Sequence, residues 1–324
     1  MTTYYGLYGQ KVQYLASDPT DVQIGQVWYN STSATLKVRQ QVATNSWASG
    51  GNMNTAKNET AGSGTQTAAL SFSGFSPGNT GATELYNGTS WTSNPTNMNT
   101  ARREAAGSGT QTSTLAYGGY DSNSTAASES FNGSTWTNTP SMNTARHGLA
   151  GCGASNTSAL GFGGIATTSL TGATESYNGS SWTSSPNSLN TTRSSFAGAG
   201  TQTAALAFGG QTPPFTAATE SWNGSTWTSV NSLNTARRLL AGSGVQTTAL
   251  AFGGDGPPRL TATELWNGTS WTSNPTGLGT ARYGLAGAGT QTAGLAFGGY
   301  SGTFSTATEE FTGTQTLSRT VTVT

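Results

Sequence analysis

The sequence predicts an all-β body built from six similar units. Three observations carry that prediction. A unit of the form N-T-A-R-x-x-x-A-G-x-G-x-Q-T-x-A-L-A-F-G-G…T-E-x-Y-N-G-x-S-W-T starts at Asn54, Asn99, Asn143, Asn190, Asn234 and Gly279, a period of 44 to 47 residues. Such a period belongs to propellers or to other repeat architectures. Within each unit, short apolar runs end in glycines or in Asn-Gly, as strands and hairpins do. Trp, Phe and Leu recur at fixed places in a chain rich in Gly, Ser, Thr, Asn and Ala, which points to a packed β core and not to low complexity.

Ahead of the repeats, residues 17–20 read as a turn, 22–29 as a strand, 30–33 as a turn and 35–42 as a second strand. Asn45-Ser-Trp47 reads as a lone outer strand preceding the first full unit. In the unit from Asn99, the Ala/Gly-rich stretch 101–109 has little side-chain bulk and suits a crowded innermost strand, A. Residues 115–117 alternate and stop at Gly118-Gly119, giving strand B. Strand C is 126–131, and Asn132-Gly133 is a two-residue hairpin signal whose central residues favour positive φ. Trp136 opens strand D. Each unit is thus a four-stranded antiparallel sheet lettered outward from an axis.

These residues together resemble a kelch-type β-propeller over about five-sixths of the chain. The resemblance rests on the Gly-Gly pairs Gly118-Gly119, Gly163-Gly164, Gly209-Gly210, Gly253-Gly254 and Gly298-Gly299. It rests also on the aromatic before the C–D turn (Tyr86, Phe131, Tyr177, Trp222, Trp266, Phe311) and on the Trp after it (Trp91, Trp136, Trp182, Trp227, Trp271). The basic residues Lys57, Arg102, Arg146, Arg193, Arg237 and Arg282, expected to open strand A, complete the set. The first unit departs with Ser73-Gly74 and the last has Thr316 in place of Trp. The expected fold is six-bladed and all-β, with the propeller over 44–324, a hairpin segment over 1–43, and the tail 316–324 meeting the first outer strand in one blade.

Composition narrows the function. Only 8% of residues are charged, the net charge is zero, and no Lys/Arg-rich run provides the footprint of a nucleic-acid binder. No run of about 18 apolar residues suggests membrane insertion, and residues 1–9 do not read as a signal peptide. Cys152 is the only cysteine, so no intrachain disulfide forms. His147 is the only histidine, placed at the start of a strand A. A His-rich or copper site of the galactose-oxidase kind therefore lacks ligands, and no metal or cofactor is expected. Glu84, Glu129, Glu175, Glu220, Glu264 and Glu309 occur once per unit and read as blade-joining ion pairs with the basic residues. The remaining acids, Asp18, Asp21, Glu59, Glu104, Asp121, Asp255 and Glu310, form no evident catalytic pair, so the expectation is a non-enzymatic protein. The Asn-Gly-Ser/Thr sequons at Asn87, Asn132, Asn178, Asn223 and Asn267 read as turns.

Variation is concentrated. The A–B and C–D turns barely change, whereas the B–C loops change completely and the residue after each basic position varies. All of this falls on one face of a propeller, and varied loops on a rigid scaffold commonly carry binding. The candidate site on this B–C/D–A face is Phe75, Arg103, Tyr120, Asp121, His147, Phe215, Arg238, Asp255, Arg259, Tyr283, Tyr300 and Phe304, with exposed aromatics suited to sugar stacking or a protein contact. Phe196, aligned with Leu in three other units, reads as core.

The stretch from Gly25 to Lys37, GQVWYNSTSATLK, resembles a module of bacteriophage tail-fibre-like and other virion structural proteins. That resemblance implies a virion protein whose residues 1–43 dock on other virion proteins and whose propeller meets host-surface polysaccharide or another virion subunit. The alternatives are a cellular kelch-like interaction module and a glycan-processing enzyme built on a propeller.

Overall fold

The computed structural model describes residues 12–21, 23–42 and 44–321. These are all-β, with no helix among the described residues, and fall into two compact units: 46–312, and the described part of 1–45 together with that of 313–324.

The larger unit holds six four-stranded antiparallel sheets, a propeller-like arrangement. In sheet 2 the strands A to D are Ala106–Thr110, Ser113–Tyr117, Ser128–Phe131 and Trp136–Thr139, hydrogen-bonded in that order. Sheets 1, 3, 4 and 5 repeat this with strands A at Ala61–Thr65, Ala150–Ser155, Ala197–Gly200 and Ala241–Val245. Sheet 6 takes three strands from its own repeat, and its strand D is Ser46–Ser49, with Trp47 opposite Phe311. The tail does not share that sheet as expected. Its strand Gln315–Thr320 pairs instead with Thr35–Val42 in the other unit, and the rest of the expected tail strand, 322–324, lies outside the described residues.

Strand A begins later than the sequence suggested. Arg102 and its counterparts lie in the D–A connection, four residues ahead of the strand, because their buried side chains are held by groups of their own sheet. Arg102, Arg146, Arg193 and Arg237 meet Glu129, Glu175, Glu220 and Glu264 at 2.6–3.1 Å, and Arg282 meets Glu309. The pairs therefore do not join blades. Each carboxylate also accepts backbone N–H groups of its D–A connection, as Glu129 does from Asn99 (2.7 Å) and Thr100 (3.3 Å). Arg237 likewise donates to Gly253 O (3.2 Å) and Ala262 O (2.8 Å), the two ends of a B–C loop. Lys57 departs from the pattern: it donates to Ala82 O at 2.8 Å, and burial lowers its pKa to about 8 against the field of Glu84.

Contacts between neighbouring sheets come from other repeated groups. The second Gly of each pair (Gly74 in sheet 1) donates its N–H to the carbonyl of the next unit's basic residue at 2.8–2.9 Å, from Gly74 to Arg102 through to Gly299 to Lys57. A Cβ on Gly119 would lie 2.9 Å from Arg103 O, so the connection can pass only over glycine. The strand-B aromatic packs on the strand-D Trp of the following sheet, as in Phe72–Trp136 and Phe208–Trp271, with ring centroids 5.2 and 4.9 Å apart. That Trp donates to a Thr at the start of the preceding sheet's strand C: Trp136 to Thr83, Trp227 to Thr174, Trp271 to Thr219, Trp91 to Thr308 and Trp47 to Thr263. The A–B turn Gln clamps the preceding sheet, as Gln111 does on Ala69 O (2.9 Å) and Tyr86 O (2.7 Å). The core is thus divided into clusters, each shared by two neighbouring sheets, and Phe196 lies in one of them.

The Asn-Gly turns differ from expectation. Tyr86 pairs with Trp91 and Phe131 with Trp136, so each loop has four residues. Asn132 Oδ1 takes the N–H groups of Ser134 and Thr135 at 2.9 Å, and Gly133 alone carries a positive φ. The side-chain cap removes the need for two left-handed residues.

In the smaller unit, Gln13–Leu15 runs parallel to Val27–Asn30, which pairs antiparallel with Thr35–Val42. The strand expected over 22–29 begins only at Val27, and Val22 lies outside the described residues. Asp18 Oδ1 accepts from Trp28 Nε1 (3.0 Å) and Asn30 (2.7 Å), and its other oxygen meets Lys37 at 2.6 Å. These donors, Lys37 foremost, hold the Asp18 carboxyl at about 2. The GQVWYNSTSATLK stretch is therefore organised on an acid that precedes it.

Two repeats carry repairable lapses. Ser73 replaces the first Gly of the pair, fully buried at φ 55° with an unpartnered hydroxyl. Ser128 replaces the strand-C Thr, and neither its Oγ nor Trp182 Nε1 has a partner. Ser73→Gly and Ser128→Thr should each raise stability by about 1 kcal/mol, read as a higher Tm in thermal unfolding. Thr83→Ser should lower it.

Candidate functional site

The face built by the B–C loops and D–A connections follows one backbone plan in all six units. The residue after each basic position pairs with the residue after each Gly-Gly (Ser73-Gly74 in sheet 1): Asn58 with Phe75, Arg103 with Tyr120, His147 with Ile165, Ser194 with Gln211, Arg238 with Asp255, and Tyr283 with Tyr300. The next residue is left-handed in all six units: Glu59, Glu104, Gly148, Ser195, Leu239 and Gly284, with φ between 50° and 62°. Five backbone hydrogen bonds of 2.7–3.2 Å link them in sequence, from Glu104 N–H to Glu59 O through to Gly284 N–H to Leu239 O. These six residues and the ones that follow them line a pocket of about 100 Å³. A second cavity of about 210 Å³ borders it at Thr60, Ala105, Leu149, Phe196, Leu240 and Leu285 and is lined by strands A of all six sheets. Four of the six left-handed positions carry side chains where glycine would be unstrained, at about 1 kcal/mol each.

Glu59 and Glu104 are the acids that sequence reasoning missed, having found no pair among the non-repeated carboxylates. They occupy equivalent places in successive units, two residues beyond Lys57 and Arg102, which is the signal that could have paired them. Burial, then the charge of Glu104, push the Glu59 carboxyl up to about 7, against the pull of Arg103, whose Nε lies 3.4 Å from Glu59 Oε2. Burial also raises Glu104, opposed by Arg103 and Arg238.

Most of the expected aromatics and arginines meet in one belt. The Arg103 guanidinium lies 5.0 Å from the Phe75 ring and 5.1 Å from the Tyr120 ring. Phe75 meets Phe304 at 5.8 Å, Phe304 meets Tyr300 at 5.7 Å, and Tyr300 meets Tyr283 at 5.5 Å. Arg259 lies 5.5 Å from the Tyr283 ring and 5.3 Å from the Tyr300 ring. At the other end His147 sets its ring against Tyr120 at 5.1 Å, and its Nδ1 lies 2.9 Å from Ser124 Oγ. Burial and the charge of Arg103 lower its pKa, so the imidazole is neutral at pH 7. Arg238 forms a second group: it stacks 5.0 Å over Phe215, meets Asp255 at 3.0 Å and donates to Gln211 at 2.7 Å. Asp121 joins neither group. Its carboxylate accepts the backbone N–H groups of Ser122 and Asn123, which lower its pKa and cap its own loop.

The aromatics are half-buried, not freely exposed as anticipated, because rings and guanidinium planes cover one another. Among the described residues, no three His, Cys, Asp or Glu gather as a metal site would require. The arrangement supplies stacking surfaces, hydrogen-bond donors and cations for binding.

No known family model matches the chain, and no curated protein matches its sequence.

The Glu59 carboxyl has a folded pKa above its ordinary 4.5. Folding therefore favours its protonated form, and this contribution is full below about pH 4.5 and lost as pH rises through 7. Glu59→Gln should unfold at a higher temperature than the parent at pH 8, and melts across pH 5 to 8 should show that advantage shrinking toward acid.

Proposed function

We propose that this chain is a non-enzymatic bacteriophage virion protein: a six-bladed, kelch-like propeller whose B–C/D–A face binds a host-surface glycan or another virion subunit. Closure is supported by the way sheet 6 meets sheet 1. Gly299 donates to Lys57 O at 2.8 Å, Trp91 packs on Phe297 with centroids 4.9 Å apart, and Gln66 donates to Gly294 and Phe311 carbonyls. These are the contacts that join the other neighbours. The binding assignment rests on one observation: side chains that vary among the repeats gather on one face, as a belt of rings and guanidinium groups. The virion assignment draws on the GQVWYNSTSATLK resemblance and on the charge-poor composition. The separate unit containing that stretch is the part proposed to dock on the particle.

One observation favours a second reading, a glycan-processing enzyme: two raised carboxyls, Glu59 and Glu104, at one pocket. Hydrolysis of a polysaccharide panel, lost in Glu104→Gln, would establish it.

Two experiments test the main reading. Mass spectrometry of purified particles should find the chain. Tyr120→Ala combined with Tyr300→Ala should weaken binding to host cells or partner subunits by roughly 1–3 kcal/mol while the variant still unfolds in one cooperative transition, at a lower Tm. Unchanged binding would remove this face from consideration.

A further inference from the structure

The three varied-face arginines are not equivalent. Arg103 has Glu59 within 3.4 Å and Arg238 has Asp255 within 3.0 Å, so each has a carboxyl group of the protein beside it. Arg259 is exposed, and among the described residues no carboxylate comes within ion-pairing distance of it. It meets the Tyr283 and Tyr300 rings instead. A guanidinium stacked on aromatic faces keeps its in-plane N–H donors free, and those donors match the two oxygens of a planar anion. Next to it runs a floor of rings, Tyr300, Phe304 and Phe75, each within 6 Å of the next.

From this geometry we infer that Arg259, Tyr283 and Tyr300 form a subsite for an anionic sugar unit, with the rest of the saccharide crossing Phe304 toward Phe75. The inference deepens the glycan reading of this face and rests on it. Sugar fits better than a protein partner for a reason visible on the surface. The large apolar side chains that stand exposed among the described residues are Val12, Tyr14, Ile24, Val245 and Val321, and none lies in a B–C loop. The face thus lacks the dry apolar anchors of a protein hot spot. It presents half-covered rings beside polar loop atoms, which suits the C–H faces and hydroxyls of a pyranose. The anion is a carboxylate or a sulfate ester, since both offer the oxygens that a guanidinium fork takes.

The test uses the full chain on a glycan array with uronate-bearing, sialylated, sulfated and neutral members, followed by titration calorimetry of the strongest ligand at low and high salt. The expected result is preferential binding of acidic members that weakens with salt. Arg259→Gln should lose roughly tenfold in affinity for them and keep its affinity for neutral ones. Tyr300→Ala should weaken both. Carboxyl reduction of the ligand separates the sources: abolished binding identifies a carboxylate, and retained binding by sulfated members a sulfate. Preference for neutral glycans, with Tyr300→Ala still damaging, would overturn the anionic subsite and leave the glycan face standing. No glycan binding, or acidic peptides of matched charge binding equally well, would overturn both this subsite and the glycan reading. Arg259→Gln binding acidic glycans like the parent would overturn the role of Arg259. Arg259 is exposed, so the variant should keep the parent's near-ultraviolet circular dichroism, which guards against misfolding as the cause.

Discussion

The structure depends on one joint, repeated in every unit: the buried basic residue of the D–A connection. Its side chain is sealed inside its own sheet, in five units against a glutamate that also grips the backbone of the same connection. Its carbonyl oxygen accepts the N–H of the preceding sheet's glycine pair. One residue thus fixes both the path of the chain within a sheet and the distance to the sheet before it. A buried ion pair adds little net stability by itself, because desolvation offsets most of the attraction. Its return is geometric: removing either partner would leave a bare charge in the interior, so the connection has one permitted position.

That constraint explains why the varied loops are usable. A backbone bond closes the base of five B–C loops, from Gly118 N–H to Ala127 O through to Gly298 N–H to Ala307 O, and Arg146 and Arg237 also bind the carbonyls at both ends of theirs. The loops can therefore change residue by residue without moving their bases. Just beyond the joint, the left-handed residue turns each connection, and linked backbone hydrogen bonds assemble those turns around one pocket. The scaffold is uniform up to that layer and individual above it. Binding chemistry on such a surface reduces to which side chains the loops bring, and here they bring arginines interleaved with rings.

Charge scarcity sharpens the contrast. With 13 basic and 13 acidic residues in 324, and ten of them committed to buried pairs, few remain to act on the surface. Two of the three face arginines are answered by nearby acids, and the third is answered by tyrosines. The electrostatic character of this face is therefore local and not a field of the whole molecule.

Much of this could be read from periodicity. A 44-to-47-residue repeat of glycines, aromatics and Asn-Gly turns dictates four short strands per unit, and the lone Trp47 strand followed from its match to the later tryptophans. The grouping of the varied residues on one face followed from strand order. Pairings between units were not legible, because identical repeats make contact within a unit and contact with its neighbour look the same. The Arg–Glu pairs, assigned to blade junctions, lie within a sheet, and the Gln of an unremarkable turn proved to be a clamp on the preceding sheet. The tail strand shows the same limit, since an alternating pattern names a strand but not its partner. Glu59 and Glu104 stand 45 positions apart and meet only because consecutive units place equivalent residues around one pocket. Local spacing sets the element and the face it presents; which groups touch is decided by packing, where burial, close glycine contacts and shared hydrogen bonds select one neighbour among six similar ones.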